Sequence, residues 1–260
     1  MLYLRSLAFN LAFFLWTGAM LLAWLPGLWR GHETVVRGQR AWAGHVVWLL
    51  RRLAYIVHEE RGRERLPAGG VVIAAKHQSA WDTLIWHLIA DDPAVVMKQE
   101  LLAIPIYGAY CRKSRMIAVD RHGGAKAMRT MLEAARQAVA EGRPIVIFPQ
   151  GTRTAPGASA AERPYLPGVA ALYRGLGVPV VPVALNSGLF WPRRGFLRRP
   201  GRIVLEYLEP IPPGLPRGAF MAELESRIEE ATRRLEAEAT AAGAPGSVDN
   251  RVETGNQSYR

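Results

Sequence analysis

Cysteine is almost absent from the sequence, since Cys111 is the one example among 260 residues and no disulfide can form within the chain. This usage is compatible with a reducing compartment. Stability must therefore come from a hydrophobic core, and hydrophobic residues make up 50% of the composition. That share argues against global disorder, and the length suits one main domain with appended segments.

Acidic residues are also scarce, because 22 Asp and Glu face 33 Lys and Arg and the formal net charge is +11. This balance favours an anionic partner: a nucleic acid, an anionic membrane or a phosphorylated substrate. A nucleic-acid site would interleave aromatic and basic residues, but the aromatic residues concentrate in the apolar N-terminal segment, so we predict no nucleic-acid partner. No cluster of His, Cys and acidic residues has metal-ligand spacing, so we predict no bound metal.

Ionisable side chains are missing altogether between Ser6 and Trp29. A membrane span needs about 20 apolar residues, so this segment predicts a membrane-associated helix, with Trp24 as an interfacial anchor. Arg5 precedes the segment and Arg30 follows it, which places the rest of the chain on the cytoplasmic face of the inner or plasma membrane. The helix can cross the bilayer or lie in one leaflet, and a buried core helix is the remaining alternative.

A second helix is predicted from Ala41 to Val57, where apolar residues recur at helical spacing. We interpret it as an interfacial amphipathic helix whose basic side lies near lipid phosphates. A helix packed on the core of the domain is the alternative. The residues on the basic side, placed there by a turn of about 100° per residue, are His45, Arg51, Arg52 and His58.

Short apolar runs rich in β-branched residues then alternate with helical stretches, of which Gly124–Glu141 is the clearest. Buried strands that alternate with helices imply an α/β fold, with a mixed, largely parallel sheet flanked by helices. The predicted strands are Val71–Ala75, Ala94–Met97, Met116–Val119, Pro144–Phe148, Val178–Leu185 and Arg202–Tyr207.

The pattern divides the chain into three regions. Residues 1–60 are predicted to form the membrane-associated helices, and residues 61–241 the main α/β domain. Within that domain, Met221–Ala241 has the composition of an exposed, charged helix. Residues 242–260 are polar and contain glycine, which predicts a loose tail.

The run KHQSAWD, from Lys76 to Asp82, directly follows the first of these strands. His77 and Asp82 can meet if His77 lies on the incoming loop and Asp82 lies in the first helical turn, and Ser79 is a helix-start signal. A carboxylate on one imidazole nitrogen fixes the tautomer and leaves the other nitrogen to take a proton. No Gly-x-Ser-x-Gly elbow is present, so Ser79 is better explained as a helix cap than as a nucleophile.

Two further apolar runs end in arginine. The run FPQGTR, from Phe148 to Arg153, places Gly151 and Arg153 at the C-terminal end of a predicted strand, where ligands bind in open α/β sheets. Glycine lets backbone approach a ligand closely, and arginine binds phosphate through a planar fork. The run MIAVDR delivers Arg121 in the same way. An ordinary turn with a solvated arginine is the alternative for FPQGTR, and a surface pair of Asp120 with Arg121 is the alternative for MIAVDR.

Taken in order, these motifs resemble the glycerolipid acyltransferase family that includes the 1-acylglycerol-3-phosphate (lysophosphatidate) acyltransferases. That family shows a His-x4-Asp block, an apolar block ending in Asp-Arg, a Phe-Pro-Glu-Gly-Thr-Arg block and a strand containing Val-Pro. The resemblance covers roughly Leu66–Tyr207. The matching blocks are His77 with Asp82, Ile117–Arg121, Phe148–Arg153 and Val178–Val183.

The resemblance implies an enzyme that moves a fatty acyl group from an acyl thioester to the sn-2 hydroxyl of 1-acylglycerol-3-phosphate, giving phosphatidic acid. His77 would be the general base and Asp82 would orient it; no cofactor is implied besides the co-substrate, acyl-CoA or acyl carrier protein. The family usually has Glu where this chain has Gln150, so a hydrogen-bonding role survives and a charged role does not. The substrate-binding residues expected from the family are Lys98, Arg121, Gln150, Gly151, Thr152 and Arg153.

Two alternatives stay open. The first is an acyltransferase of the same fold with another acceptor, such as another lysophospholipid, a lyso-aminolipid or glycerol-3-phosphate. The second is a non-enzymatic, basic membrane-binding protein. Both share the expected membrane-lipid partner, and assays with different acyl acceptors separate them.

Overall fold

A computed structural model describes residues 1–244. The strands are β1 (Ile56–Arg61), β2 (Val72–Ala75), β3 (Ala94–Lys98), β4 (Ile117–Val119), β5 (Ile145–Ile147), β6 (Val180–Leu185) and β7 (Gly201–Tyr207). The helices are α1 (Leu2–Ala23), α2 (His32–Leu49), α3 (Trp81–Leu84), α4 (Trp86–Ile89), α5 (Tyr107–Lys113), α6 (Gly124–Ala140), α7 (Pro167–Leu176) and α8 (Arg217–Ala241). Most of the predicted tail, residues 245–260, lies outside the described residues.

The seven strands form one sheet in the order β1-β7-β6-β2-β5-β3-β4. Only the β6–β7 pair is antiparallel, and the other neighbouring pairs are parallel. The prediction of a mixed, largely parallel sheet is therefore confirmed. Strand β2 is central, between β5 and β6, so the loop that follows β2 opens at the middle of the carboxyl edge of the sheet.

Alternating side chains of the sheet feed two hydrophobic clusters, one on each face. On β2, Val72 and Ala74 belong to the cluster that packs under α6, α7 and the first half of α8. Ile73 and Ala75 belong to the cluster on the other face, which also contains buried residues of α1 to α4. The N-terminal helices are thus part of one core cluster with the sheet, and Phe9 of α1 is fully buried in it.

The predicted second helix has different bounds in the structure. Helix α2 begins at His32 and is followed by a π-helical turn, Leu50–Ala54, which Tyr55 ends in the left-handed conformation with φ of 56°. Val57 and His58 lie in strand β1, which the sequence analysis missed, so their assignment to a helix was wrong. Val57 is apolar and falls at the next helical position, although it lies in the strand. The helical spacing of apolar residues therefore extended past the true end of the helix.

The faces of α2 combine the two interpretations of this segment. Val46 and Leu50 are buried in the core, as the alternative of a packed helix requires. His45 and the following Arg51 and Arg52 are exposed on the outside, as the amphipathic pattern predicts. Strand β1 crosses the predicted boundary at residue 60 and pairs with β7 along its whole length.

Helix α8 exists where a charged helix was predicted, but the prediction that it is exposed was wrong for one of its faces. Phe220, Leu224 and Ile228, spaced four residues apart, are all fully buried, and Leu235 continues the same face. The many charged residues on the other faces masked this narrow apolar stripe in the sequence. The stripe fixes α8 against the sheet beside the loop that follows β2.

Candidate active site

His77 and Asp82 are in contact at the carboxyl end of the central strand. His77 lies on the loop between β2 and α3, Asp82 lies in the first turn of α3, and His77 Nδ1 is 3.0 Å from Asp82 Oδ2. The Asp82 side chain is fully buried, and that of His77 is 12% exposed. This is the layout of strand, loop and helix that the five-residue spacing predicted.

Asp82 is held by three more donors. The backbone N–H groups of Gln78 and Ser79 donate to Oδ2 at 2.6 and 2.7 Å, and the hydroxyl of Ser187 donates to Oδ1 at 2.5 Å. Together with His77 these donors use the acceptor capacity of an ionised carboxylate, which cannot donate. The carboxylate therefore favours the tautomer with a proton on His77 Nδ1 and leaves Nε2 as the free base.

The orientation of the His77 ring is also fixed from the side of the FPQGTR segment. Phe148 stacks on the imidazole, with ring centroids 4.2 Å apart and planes 24° apart. The backbone N–H and the hydroxyl of Thr154 both donate to the His77 carbonyl oxygen, at 2.8 and 3.2 Å. The two motifs thus form one rigid unit rather than two separate loops.

A cavity of about 1210 Å³ opens beside His77 and runs between the sheet and the N-terminal helices. Its inner walls carry apolar side chains from α1, α2 and β3, such as Leu21, Trp42 and Val95. Cys111 of α5 and His87 of α4 also line it, and burial lowers the pKa of His87 to about 4. The space is mostly apolar, with His77 among the polar groups on its wall.

All of the substrate-binding residues expected from the family line this same cavity. Arg121 follows β4, and Gly151, Thr152 and Arg153 follow β5, so the parallel strands bring them to the same edge of the sheet. The Arg121 guanidinium donates to the carbonyl oxygen of Gly151. Lys98 is exposed at the end of β3.

Local contacts explain why glycine occupies position 151 and glutamine occupies position 150. Gly151 has φ of 62°, a conformation that favours glycine, and a Cβ there would lie 2.5 Å from Leu166 Cδ1, so a larger residue would strain the backbone and displace the Leu166 side chain. The amide of Gln150 is buried and donates to the carbonyl oxygen of Arg163 at 3.1 Å. An ionised Glu cannot make that bond, so the departure from the family pattern suits this loop.

Three contacts of the site were not predicted, because they join distant parts of the chain. Ser187, which follows the Val-Pro strand, reaches Asp82 across 105 positions. Glu236 of α8 accepts from the Gln78 side chain at 2.6 Å and from the Gly157 N–H at 3.0 Å. The motif VPVVPVALNSG, which ends in Ser187 and Gly188, was the available signal, but its spacing to Asp82 carries no information.

A buried ion pair ties α8 to the residue next to His77. Lys76 is 1% exposed, and its ammonium donates to both carboxylate oxygens of Glu229 at 2.7 and 2.8 Å. The Tyr165 hydroxyl donates to the same carboxylate at 2.9 Å, and burial together with Glu229 raises the pKa of Tyr165. In residues 1–244 no group of three or more His, Cys and acidic side chains could hold a metal ion.

A family model described as Acyltransferase matches residues 57–186, which include His77, Asp82, Arg121 and the whole FPQGTR segment. The chain belongs to this family. A 1-acyl-sn-glycerol-3-phosphate acyltransferase of Pseudomonas aeruginosa is 34% identical over 162 residues, 62% of this chain and 62% of that protein. A human lysophospholipid acyltransferase is 33% identical over 159 residues, 56% of this chain and 29% of that protein.

The fold of this acyltransferase also has a solved counterpart. The crystal structure of the 1-acyl-sn-glycerophosphate (LPA) acyltransferase PlsC of Thermotoga maritima superposes with a TM-score of 0.72, covering 91% of this chain and 98% of that one at 21% identity. The chain spans less than two thirds of the length of the curated relatives described above. The family and the fold are therefore shown.

Proposed function

We propose that this acyltransferase moves a fatty acyl group from an acyl thioester to the sn-2 hydroxyl of 1-acylglycerol-3-phosphate, giving phosphatidic acid. The observation that carries the proposal is the pairing of His77 with buried Asp82 on the wall of a large, mostly apolar cavity that basic residues also line. The relative from Pseudomonas aeruginosa, whose name states this reaction, supports the choice of acceptor.

In the proposed reaction, His77 Nε2 takes the proton of the acceptor hydroxyl as its oxygen attacks the thioester carbonyl carbon. The carbon–sulfur bond then breaks, and the proton on Nε2 passes to the leaving thiolate. Asp82 keeps the imidazole in the required tautomer and stabilises its charged form. No enzyme nucleophile is needed, because a thioester is already activated. Alignment of the two substrates contributes up to about 7–11 kcal/mol to lowering the barrier.

The remaining predicted residues bind the substrates in this proposal. Arg121 and Arg153 hold the acceptor phosphate, with Lys98 as a further cation at the end of β3. Gly151 and Thr152 shape the pocket with backbone that lies close to the ligand. Gln150 acts through its hydrogen bond to the loop and transfers no proton. The apolar part of the cavity accommodates a fatty acyl chain.

In this proposal the N-terminal helices hold the site beside lipid. Helix α1 is the one described helix that is long and apolar enough to span a membrane, and 11% of its most apolar window is buried. It contacts the folded domain along its length, because Ser6 accepts from the Arg198 N–H and Tyr110 donates to the Leu21 carbonyl. A helix packed in this way cannot cross a bilayer without drawing the domain after it. We therefore infer that α1 lies in one leaflet.

The outward side of α1 is the lipid contact in this proposal. Leu4, Leu11, Phe14 and Leu15 are each more than half exposed there. Residues 1–60 then attach the protein to the cytoplasmic face of the inner or plasma membrane, and residues 61–241 carry out the chemistry. Strand β1 crosses that boundary, so the two regions fold as one unit.

The test is an acyl-transfer assay with purified, detergent-solubilised protein. 1-Acylglycerol-3-phosphate is supplied with acyl-CoA or acyl carrier protein thioesters of varied chain length, and phosphatidic acid is measured. We expect product from the wild type and none from folded His77→Ala. His45→Ala, an exposed histidine on α2, is the matched control and should keep its activity. Normal turnover by folded His77→Ala would contradict the general-base role.

The same assay also tests which acceptor the enzyme uses. The human lysophospholipid acyltransferase is 33% identical over 159 residues, so the assay also includes other lysophospholipids and glycerol-3-phosphate. Product with one of these and none with 1-acylglycerol-3-phosphate would replace the acceptor and keep the chemistry. A folded wild type that turns over no acceptor with any donor would contradict the proposed function.

A further inference from the structure

Guanidinium charges gather beside the FPQGTR segment, where Arg153 and Arg193 line the cavity and the charges of Arg163 and Arg194 act on Arg193. Arg193 lies between β6 and β7, lines the cavity with Arg153, and donates to the Arg153 carbonyl oxygen at 3.0 Å. Partial desolvation, followed by the neighbouring charges of Arg194, Arg153 and Arg163, lowers the pKa of Arg193. Within residues 1–244, none of these four side chains lies within 4.0 Å of a carboxylate oxygen. Like charges gathered without a counterion favour an anionic ligand.

The cluster offers more positive charge than one phosphate monoester needs. The proposed acceptor carries a single phosphate. In the proposed function Arg121 and Arg153, which follow β4 and β5, bind that phosphate. Arg193 and Arg194 come from a different segment and are both exposed, and Arg193 lines the cavity. An acyl transfer to such an acceptor involves a second substrate, the thioester, and its biological forms are anionic as well.

We propose that Arg193 and Arg194 bind the phosphate of the acyl donor, on the phosphorylated pantetheine arm that acyl-CoA and acyl carrier protein share. This inference rests on the proposed function. When the thioester carbon lies at His77 and the acyl chain lies in the apolar cavity, the polar arm must leave through the rim. A phosphate at the rim lies near the guanidinium groups of Arg193 and Arg194, which are planar and can each donate two hydrogen bonds to it.

An anionic membrane is the other partner that a basic surface could meet. The segment after Arg194 does approach α1, since the Asn10 side chain donates to the Phe196 carbonyl oxygen. However, Arg193 lines the same cavity as His77 and is bonded to the FPQGTR segment, which assigns it to the substrates. Binding to lipid headgroups is therefore an outcome that the experiment must be able to detect.

The experiment compares Arg193→Gln, Arg194→Gln and the double variant with the wild type. Arg174→Gln, an exposed arginine of α7 outside the cavity, is the matched control. The donors are acyl-CoA, acyl carrier protein thioester and the phosphate-free S-acyl-N-acetylcysteamine, all with one acyl chain. We expect KM for both phosphate-bearing donors to rise about tenfold in the double variant, as for loss of a charged hydrogen bond. KM for the acceptor and turnover of the phosphate-free donor should stay unchanged.

Several results would overturn the proposal. The first is an unchanged donor KM in folded variants. The second is an equal loss of turnover with the phosphate-free donor. The third is a rise in the acceptor KM without a rise in the donor KM. Weaker flotation with phosphatidylglycerol vesicles and an unchanged donor KM would assign the arginines to headgroups instead. A rise in KM with both donors supports binding of the shared phosphate, whereas a rise with acyl-CoA alone would overturn it and assign the arginines to the nucleotide part of coenzyme A.

Calorimetric titration with 4′-phosphopantetheine separates this proposal from the proposed function, because it needs no turnover. Binding by the wild type and its loss in the double variant would support the donor site, even if the wild type transferred no acyl group to any acceptor. Equal binding by both proteins would overturn the site and leave the proposed reaction untouched.

Discussion

Removing the hydroxyl of Ser187 tests whether the buried carboxylate partner of His77 depends on a residue 105 positions away. Asp82 Oδ2 accepts from three donors, whereas Oδ1 accepts from the Ser187 hydroxyl alone among the described residues. Both side chains are fully buried, so no bulk water can replace the lost donor. The substitution Ser187→Ala therefore leaves half of an ionised carboxylate without a partner.

The expected magnitude follows from the charge of the acceptor. A hydrogen bond to a charged group is worth about 1.5–3 kcal/mol. For a chain of this size, that loss lowers Tm by about 3–12 °C, at 2–4 °C per kcal/mol. Asp82 can then rotate away from His77, so we expect kcat to fall about tenfold, which corresponds to about 1.4 kcal/mol. Asp82→Asn, which supports the wrong tautomer of His77, should cost far more, on the order of 10⁴ in kcat.

The assay combines kcat at saturating substrates, thermal unfolding and ¹⁵N NMR of histidine-labelled protein, which reports the His77 tautomer. Ser114→Ala is the matched control: its hydroxyl is also fully buried and donates to the Tyr110 carbonyl oxygen, so it should lose stability and retain kcat. Ser187→Thr keeps the hydroxyl and should recover part of the activity. Unchanged kcat and an unchanged His77 spectrum in folded Ser187→Ala would refute the reasoning.

Three further predictions concern the cavity and helix α1. The pKa of His87 is about 4 when folded and 6.5 when free, so stability should fall as pH drops from 6.5 towards 4, by up to about 3 kcal/mol, and denaturation of His87→Gln should lack this loss. Cys111 lines the cavity and burial raises the pKa of its thiol, so N-ethylmaleimide should inactivate the enzyme slowly. A long-chain acyl donor should protect the enzyme, and the Cys111→Ala variant should keep its activity in the presence of the reagent. Leu11→Asn with Leu15→Asn should weaken vesicle flotation at unchanged Tm, whereas Phe9→Asn in the core should unfold the protein.

Local sequence was sufficient wherever the responsible residues are neighbours in the chain. Six strands were predicted because each is a short, β-branched run between turn signals, and six of the seven observed strands match them. Strand β1 was not predicted because its sequence, IVHEER, is that of an edge strand with few apolar residues. It forms because β7 offers six partner residues, from Gly201 to Glu206, that no local pattern near Ile56 reveals.

The same limit applies to the helices at the two ends. The apolar composition of α1 predicted a membrane-seeking helix, but composition does not state which side faces the core. Phe9 is fully buried while Leu15 is 73% exposed on the same helix. That difference arises from Trp191, whose ring meets the Phe9 ring edge-on at 5.3 Å from a distant loop.

The amino-acid sequence alone was enough to predict the α/β class, the His77–Asp82 contact and the grouping of Arg121 with the FPQGTR segment. Each of these depends on short spacing or on the common edge of parallel strands. The contact of Asp82 with Ser187, the contact of Lys76 with Glu229, the shape of the cavity and the arginine cluster at its rim depend on side chains that only folding brings together. Ser187 and Glu229 lie more than 100 positions from the residues that they hold, and pairing over such distances follows from packing rather than from any local pattern.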